Sequence, residues 1–255
     1  MKPYILIFPS ILVMLVAITS PRYGQKRFDS IDILAKVLKK HVKEGLVDYS
    51  GLKSSPGQLN EFLDKTSSVT RQSFNRWDKN KQLAFLINLY NASTLALVQE
   101  NYPVKSIKDI AGSAGGPWEQ PVVNLFGENI TLNSLESEVI RKNYQEPRVH
   151  FALVCAALGC PVLINKPYEP QILDEQLELQ TQAFLGDITK NSIDVNKELI
   201  MLSPIFSWYK EDFIAVSGSV IGFVNPYFGN QANTGFAIEY TEYDWTLNDL
   251  QSGSK

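Results

Sequence analysis

The string LAFLINLYNASTLALV, residues 83–98, puts apolar side chains on every face of a helix. A helix that is apolar all round is a buried one, so this segment predicts the central element of the core. Asp78 and the charged residues after it supply a start and Tyr102-Pro103 a stop, which gives a helix over Asp78–Asn101. Upstream, Ile31, Leu34, Val37, Leu38 and His41 recur every three or four residues, with Lys36, Lys39, Lys40 and Lys43 turned outward and Gly45 ending the run. A shorter helix is expected over Gln58–Lys65.

Downstream of the core helix the periodicity changes. Val122–Leu125 and Glu128–Thr131 flank Phe126-Gly127 and predict a hairpin. A helix over Leu132–Tyr144 follows, capped by Asn133 or Ser134, with Glu136 and Glu138 placed where the helix dipole favours acids. Arg148–Cys155 is an apolar run of strand length that enters a loop over Ala156–Pro161. A helix over Pro170–Leu185, a strand within Ser192–Leu202, a helix over Pro204–Phe213 and a terminal strand over Ile238–Trp245 complete the pattern. Helices and strands mix without regular alternation. The expected class is therefore α+β: one compact domain over 28–250, its buried central helix packed on a small mixed sheet.

Ahead of the domain, Lys2 precedes an uncharged, apolar stretch from Tyr4 to Ile18, followed by Pro21 and Arg22. This is the layout of a signal peptide over 1–20. The run is shorter than the ~20 residues of a straight membrane-crossing helix, and Pro9 interrupts it. An uncleaved anchor over 4–19 is the alternative, and would be the chain's only tie to a membrane. Export to a periplasmic or extracellular location follows from either. The net charge is −3, with Lys and Arg scattered among acids, so no basic patch offers itself to nucleic acid. Nothing in the pattern calls for a cofactor.

Several strings together resemble the family called domain of unknown function 547. They are Ala84–Ala92; Thr131-Leu132 with Glu136 and Arg141; Val149–Leu153 with Cys155, Cys160 and Pro161; Ser203, Trp208-Tyr209 and Asp212-Phe213; and Tyr243-Asp244-Trp245 with Asn248. The resemblance runs from about Phe28 to Asn248 and implies no particular reaction.

The residues themselves narrow the chemistry. Only two histidines exist, His41 and His150. His41 reads as packing at a helix end. His150 is the one near both cysteines. If it opens a strand, Cys155 points to the opposite face, whereas Cys160, past the strand end, can turn back toward it. A thiol site would use Cys160 as nucleophile and His150 as base, with Asn88 or Asn91 as the orienting amide, and would hydrolyse or transfer an acyl group of a small-molecule or peptide substrate. Asn88 and Asn91, three apart on the buried helix, read equally as amides that tie the core to loop backbone. The spacing Cys155-x4-Cys160 in an exported chain equally suits a disulfide. A metal site would need Cys155, Cys160, His150 and His41 together. Glu136 and Asp212 could form an acid–base pair beside Trp208-Tyr209. Arg141 and Arg148 would pair with Glu136 or hold an anionic ligand. Trp118, Trp208 and Trp245 read as core anchors.

Two functions remain: a thiol hydrolase or acyl transferase, or a non-catalytic exported binding domain whose disulfide is structural. A free Cys160 sulfur beside His150 favours the first. A bond to Cys155 favours the second.

Overall fold

A computed structural model describes residues 29–110 and 116–251. The signal-like segment over 1–20 lies outside these residues. The described chain is a mixed α+β fold of short helices and small sheets around the predicted core helix.

The amphipathic helix α1 (Asp29–His41) runs straight into the antiparallel hairpin β1 (Val42–Lys43) and β2 (Leu46–Val47). Its turn residues Glu44 and Gly45 both have positive φ, 51° and 83°, as a tight hairpin turn requires. A side chain at Gly45 would also meet Val162 Cβ at 2.8 Å, so glycine is required there on two counts. Three helices follow: α2 (Tyr49–Ser54), α3 (Gly57–Ser67) and α4 (Arg71–Phe74). Asp48 caps α2 through the Gly51 N–H, and Thr70 caps α4 through the Ser73 N–H.

Helix α5 (Lys79–Asn101) begins where Asp78 accepts a hydrogen bond from the Lys81 N–H. From Gln82 to Gln99 nearly every side chain is buried, as the unbroken apolar pattern requires. Its main neighbours are α2, α3, a 3-10 turn at Pro170–Ile172, the hairpin strand β3 (Val123–Leu125) and the helix that follows it. The mixed sheet expected beneath α5 lies elsewhere. It is a three-stranded sheet of β5 (Ser192–Asp194), β6 (Leu199–Leu202) and β7 (Ala237–Tyr240), with β5 antiparallel and β7 parallel to β6. It belongs to a second cluster built around Phe151, Phe184, Phe206, Phe213 and Phe223.

Strand β3 pairs with β4 (Glu128–Ile130) across the predicted Phe126-Gly127 turn. Thr131 caps the next helix, in place of Asn133 or Ser134. That helix begins as α6 (Leu132–Ser134), continues as a π-helix over Leu135–Arg141 and ends as α7 (Lys142–Tyr144). In π winding the i→i+5 bond brings residues five apart onto one side. Glu136 and Arg141 are such a pair, which ordinary helical periodicity would separate.

The apolar run Arg148–Cys155 is not a strand. Pro147 opens a 3-10 turn over Pro147–Phe151, which Glu146 caps through the Arg148 N–H. Beyond the turn, an amide side chain takes the place of a neighbouring strand. Asn91 Nδ2 donates to the Ala152 carbonyl and Asn91 Oδ1 accepts from the Val154 N–H, both at 2.9 Å. Val149 and Ala152 thus face the first core while Phe151 enters the second, and His150 sits at the seam.

Helix α8 (Leu173–Leu185) packs on this turn. The predicted helix over Pro204–Phe213 is two helices, α9 (Ile205–Trp208) and α10 (Lys210–Ser217), followed by α11 (Val220–Val224). The terminal strand stops at Tyr240. The chain then lies along the cysteine loop, where the Gly159 N–H donates to the Asp244 carbonyl and the Leu158 N–H to the Thr246 carbonyl, both at 2.8 Å. A side chain at Gly159 would stand 2.9 Å from the Asp244 nitrogen, so glycine permits this approach. Tyr243 is thereby laid against the cysteines, with Trp245 packed on Tyr243.

Candidate functional site

A cavity of about 370 Å³ opens at the seam between the two cores. That volume lies within the range of small-ligand pockets, roughly 300–1,000 Å³. Sequence-distant segments build it: Tyr90 of α5, the turn at Trp118-Glu119, the helix of Asn133 and Glu136, the His150 turn with the cysteine loop, helix α9 with Tyr209, and the C-terminal tail.

The floor is polar. Glu136 Oε2 accepts from the Tyr90 hydroxyl at 3.2 Å, and Tyr209 also bonds this carboxylate. Burial, reinforced by the Glu136 charge, pushes both phenols well above their ordinary pKa, so they stay protonated as donors. Beside them the His150 ring stacks on Tyr209 with centroids 3.8 Å apart. His150 Nε2 lies 2.8 Å from Asp212 Oδ2. Asp212 is in turn gripped by Arg141, whose Nε and second terminal nitrogen donate at 2.7 and 3.1 Å. Burial works to raise the Asp212 carboxyl, but the hydrogen bonds from His150 and Arg141 outweigh it and hold the group well below the usual carboxylate range.

The sulfur wall is oxidised. Cys155 and Cys160 form a disulfide with Cα atoms 6.2 Å apart. The Tyr243 hydroxyl lies 3.1 Å from the Cys160 sulfur and 3.2 Å from the Cys155 sulfur, and the Cys155 N–H points at the Cys160 sulfur from 2.9 Å. Both cysteines and His150 line the cavity. The strand-face argument that separated Cys155 from His150 therefore lapses with the strand itself.

The remaining wall is aromatic. Trp245 stacks near Trp208 at 5.9 Å and meets Trp118 edge-on at 5.7 Å, while Tyr243 approaches Trp208 at 4.8 Å. These tryptophans are lining groups as well as anchors, and Trp208 is 50% exposed. Glu119 completes the rim, accepting from Asn133 Nδ2 at 2.6 Å and Thr131 Oγ1 at 3.4 Å.

Several expected partnerships are different in the structure. Neither asparagine orients His150: Asn91 is spent on the backbone described above, and Asn88 donates to the Tyr168 carbonyl at 2.8 Å and accepts from its N–H at 2.9 Å. Asp212 takes the orienting place. Asp212 is not among the cavity-lining residues, and its carboxylate is engaged by His150 and Arg141 rather than paired with Glu136 as an acid–base couple. Arg141 pairs with Asp212. Arg148 is held by Glu146 in a two-pronged contact, by Asp174 at 2.7 Å and by Glu178 at 3.4 Å. The four-ligand metal set does not assemble, since the sulfurs are bonded to each other and His41 pairs with Asp48 at 3.6 Å. Among the described residues no cluster of three or more metal-ligating groups occurs.

His41 carries a pH dependence. Burial, helped by the Lys40 charge, lowers its pKa below the ordinary 6.5. The folded state thus resists a proton that the unfolded chain accepts. Stability is full above pH 6.5 and is lost as pH falls toward the folded value. Asp212 adds a loss in the same direction below its ordinary 3.8. Thermal melts are expected to shift downward between pH 7 and pH 5, and His41→Asn is expected to flatten that limb. A wild-type melting temperature constant over this interval contradicts the assignment.

Tyr90, Glu119, Asn133 and Tyr243 escaped the sequence reading as site residues. Tyr90 and Tyr243 lie inside the strings already singled out, and Asn133 was read only as a helix cap, while Glu119 left no signal. No curated protein and no solved structure gives a significant match to the chain. Trp208, Asp212, Tyr243 and Trp245 lie beyond the segment covered by the family comparison. Residues 74–185, which hold the core helix, the π-helix, the His150 turn and both cysteines, match the family described as "Protein of unknown function, DUF547".

Proposed function

We propose that this is an exported, non-catalytic binding domain that takes a small-molecule or peptide ligand into the seam cavity. The observation that carries the reading is the Cys155–Cys160 bond inside the cavity wall: the only two sulfurs placed to attack a ligand are spent on each other. The bond also suits an oxidising compartment, which supports residues 1–20 as an export signal. In this reading His150, Asp212 and Arg141 form a brace. They fix Tyr209, and Tyr209 fixes Glu136 in the floor. The aromatic wall supplies apolar area and the two carboxylates supply orientation.

One observation favours a second reading, the thiol hydrolase or acyl transferase. His150 is held from behind by a carboxylate while lining the same cavity as both sulfurs, as the base of a Cys–His–Asp site would be. That site would require a dithiol reductant first. The reductant would give up two electrons and two protons and become a disulfide, leaving two thiols in the protein.

An activated ester separates the two. With p-nitrophenyl acetate the oxidised protein is expected to release no burst of p-nitrophenol. The same result is expected after mild reduction beyond what an ordinary free thiol gives. A stoichiometric burst that His150→Gln abolishes overturns the binding-domain reading and establishes the second.

A further inference from the structure

We infer that the seam cavity selects a cationic ligand, an ammonium group seated among Trp118, Trp208, Trp245 and Tyr243 and facing Glu119 and Glu136. The inference rests on the cavity being a binding site, and it goes further by naming the class of ligand. Aromatic faces are electron-rich and attract ammonium groups, most strongly where water is excluded. Among the described residues the lining contains four such side chains in addition to the floor tyrosines, two carboxylates, and no Lys or Arg.

Nearby cations temper this balance. Arg141 donates both prongs to Asp212, an acceptor it shares with His150, and its charge also reaches Glu136. Lys190, whose Nζ donates to the Cys160 carbonyl, is paired with Asp187 at 3.0 Å. Lys108 opposes, with its Nζ 4.0 Å from the Trp245 ring centroid. It offsets one of the two carboxylates, and its position shows that this ring already receives an ammonium. Glu136 accepts from the Tyr90 and Tyr209 phenols and feels the Arg141 charge only through space, so a cationic ligand supplies the direct ionic partner that the phenols do not.

Three probes test this on the oxidised protein by tryptophan fluorescence and calorimetry: choline, its neutral isostere 3,3-dimethylbutan-1-ol, and a neutral N-acetylglucosamine oligomer. Choline is expected to bind at least about tenfold more tightly than the isostere, the worth of one well-seated cation–π contact. Glu136→Gln and Trp208→Ala should each remove most of that advantage. Trp208 is half exposed and its replacement leaves both cores intact, so this variant guards against a folding defect in the other. Equal affinity for choline and isostere, or binding of the sugar alone, overturns the cation while leaving the binding cavity standing. No response to any probe overturns both.

Discussion

Asn91→Ala is expected to destabilise the fold by about 2–6 kcal/mol, because two buried backbone groups lose their partners at about 1–3 kcal/mol each. The Ala152 carbonyl and Val154 N–H both bond this one side chain, and both residues are buried. The segment has no neighbouring strand to turn to, since Asn91 takes that strand's place. Urea unfolding measures the loss. The same experiment reports on function, since the freed segment is the one that positions His150 and Cys155. A change below about 0.5 kcal/mol, the scale of an ordinary surface substitution, contradicts the role given to Asn91.

Asp212→Ala is the second large effect, expected at about 2–4 kcal/mol. It leaves the Arg141 guanidinium and the His150 imidazole without their shared acceptor in a partly buried setting. The neutral Asp212→Asn keeps an acceptor and should cost less. Because His150 and Arg141 both contact the Tyr209 ring, loss of the carboxylate should also loosen the cavity floor. Near-ultraviolet circular dichroism should register this as weakened aromatic signals at temperatures where far-ultraviolet signals persist. Unchanged stability and aromatic signals in both variants would mean that the His150–Asp212–Arg141 chain is not a brace.

These two sites mark where the sequence was legible and where it was not. Helix α5, its Asp78 start and the Phe126-Gly127 hairpin were readable because each is fixed by neighbours in sequence: an apolar pattern, a cap and a turn. The run Arg148–Cys155 was not, because an apolar stretch of that length is compatible with any buried backbone. What excluded a strand was Pro147 acting with a side chain 61 residues away from Ala152. The buried polar role of Asn88 and Asn91 was readable from their spacing on α5, though not which backbone they hold. The Asp212–Arg141 pair spans 71 residues and the Tyr90–Glu136 bond 46, distances over which sequence carries no register. The π winding that aligns Glu136 with Arg141 likewise leaves no trace in periodicity. The cysteine pair was legible as a bond or a thiol site from its spacing and the signal-like N-terminal pattern, and the structure shows the bond.

The most direct measurement is thiol labelling of the protein with and without reductant, followed by mass mapping of Cys155 and Cys160. The binding-domain account predicts no label on either cysteine until a dithiol is added. Both should then label together, with a stability loss of about 2 kcal/mol for opening so short a loop. Rapid labelling of one cysteine in the unreduced protein at neutral pH, slowed by His150→Gln, would contradict it and place a nucleophile in the cavity.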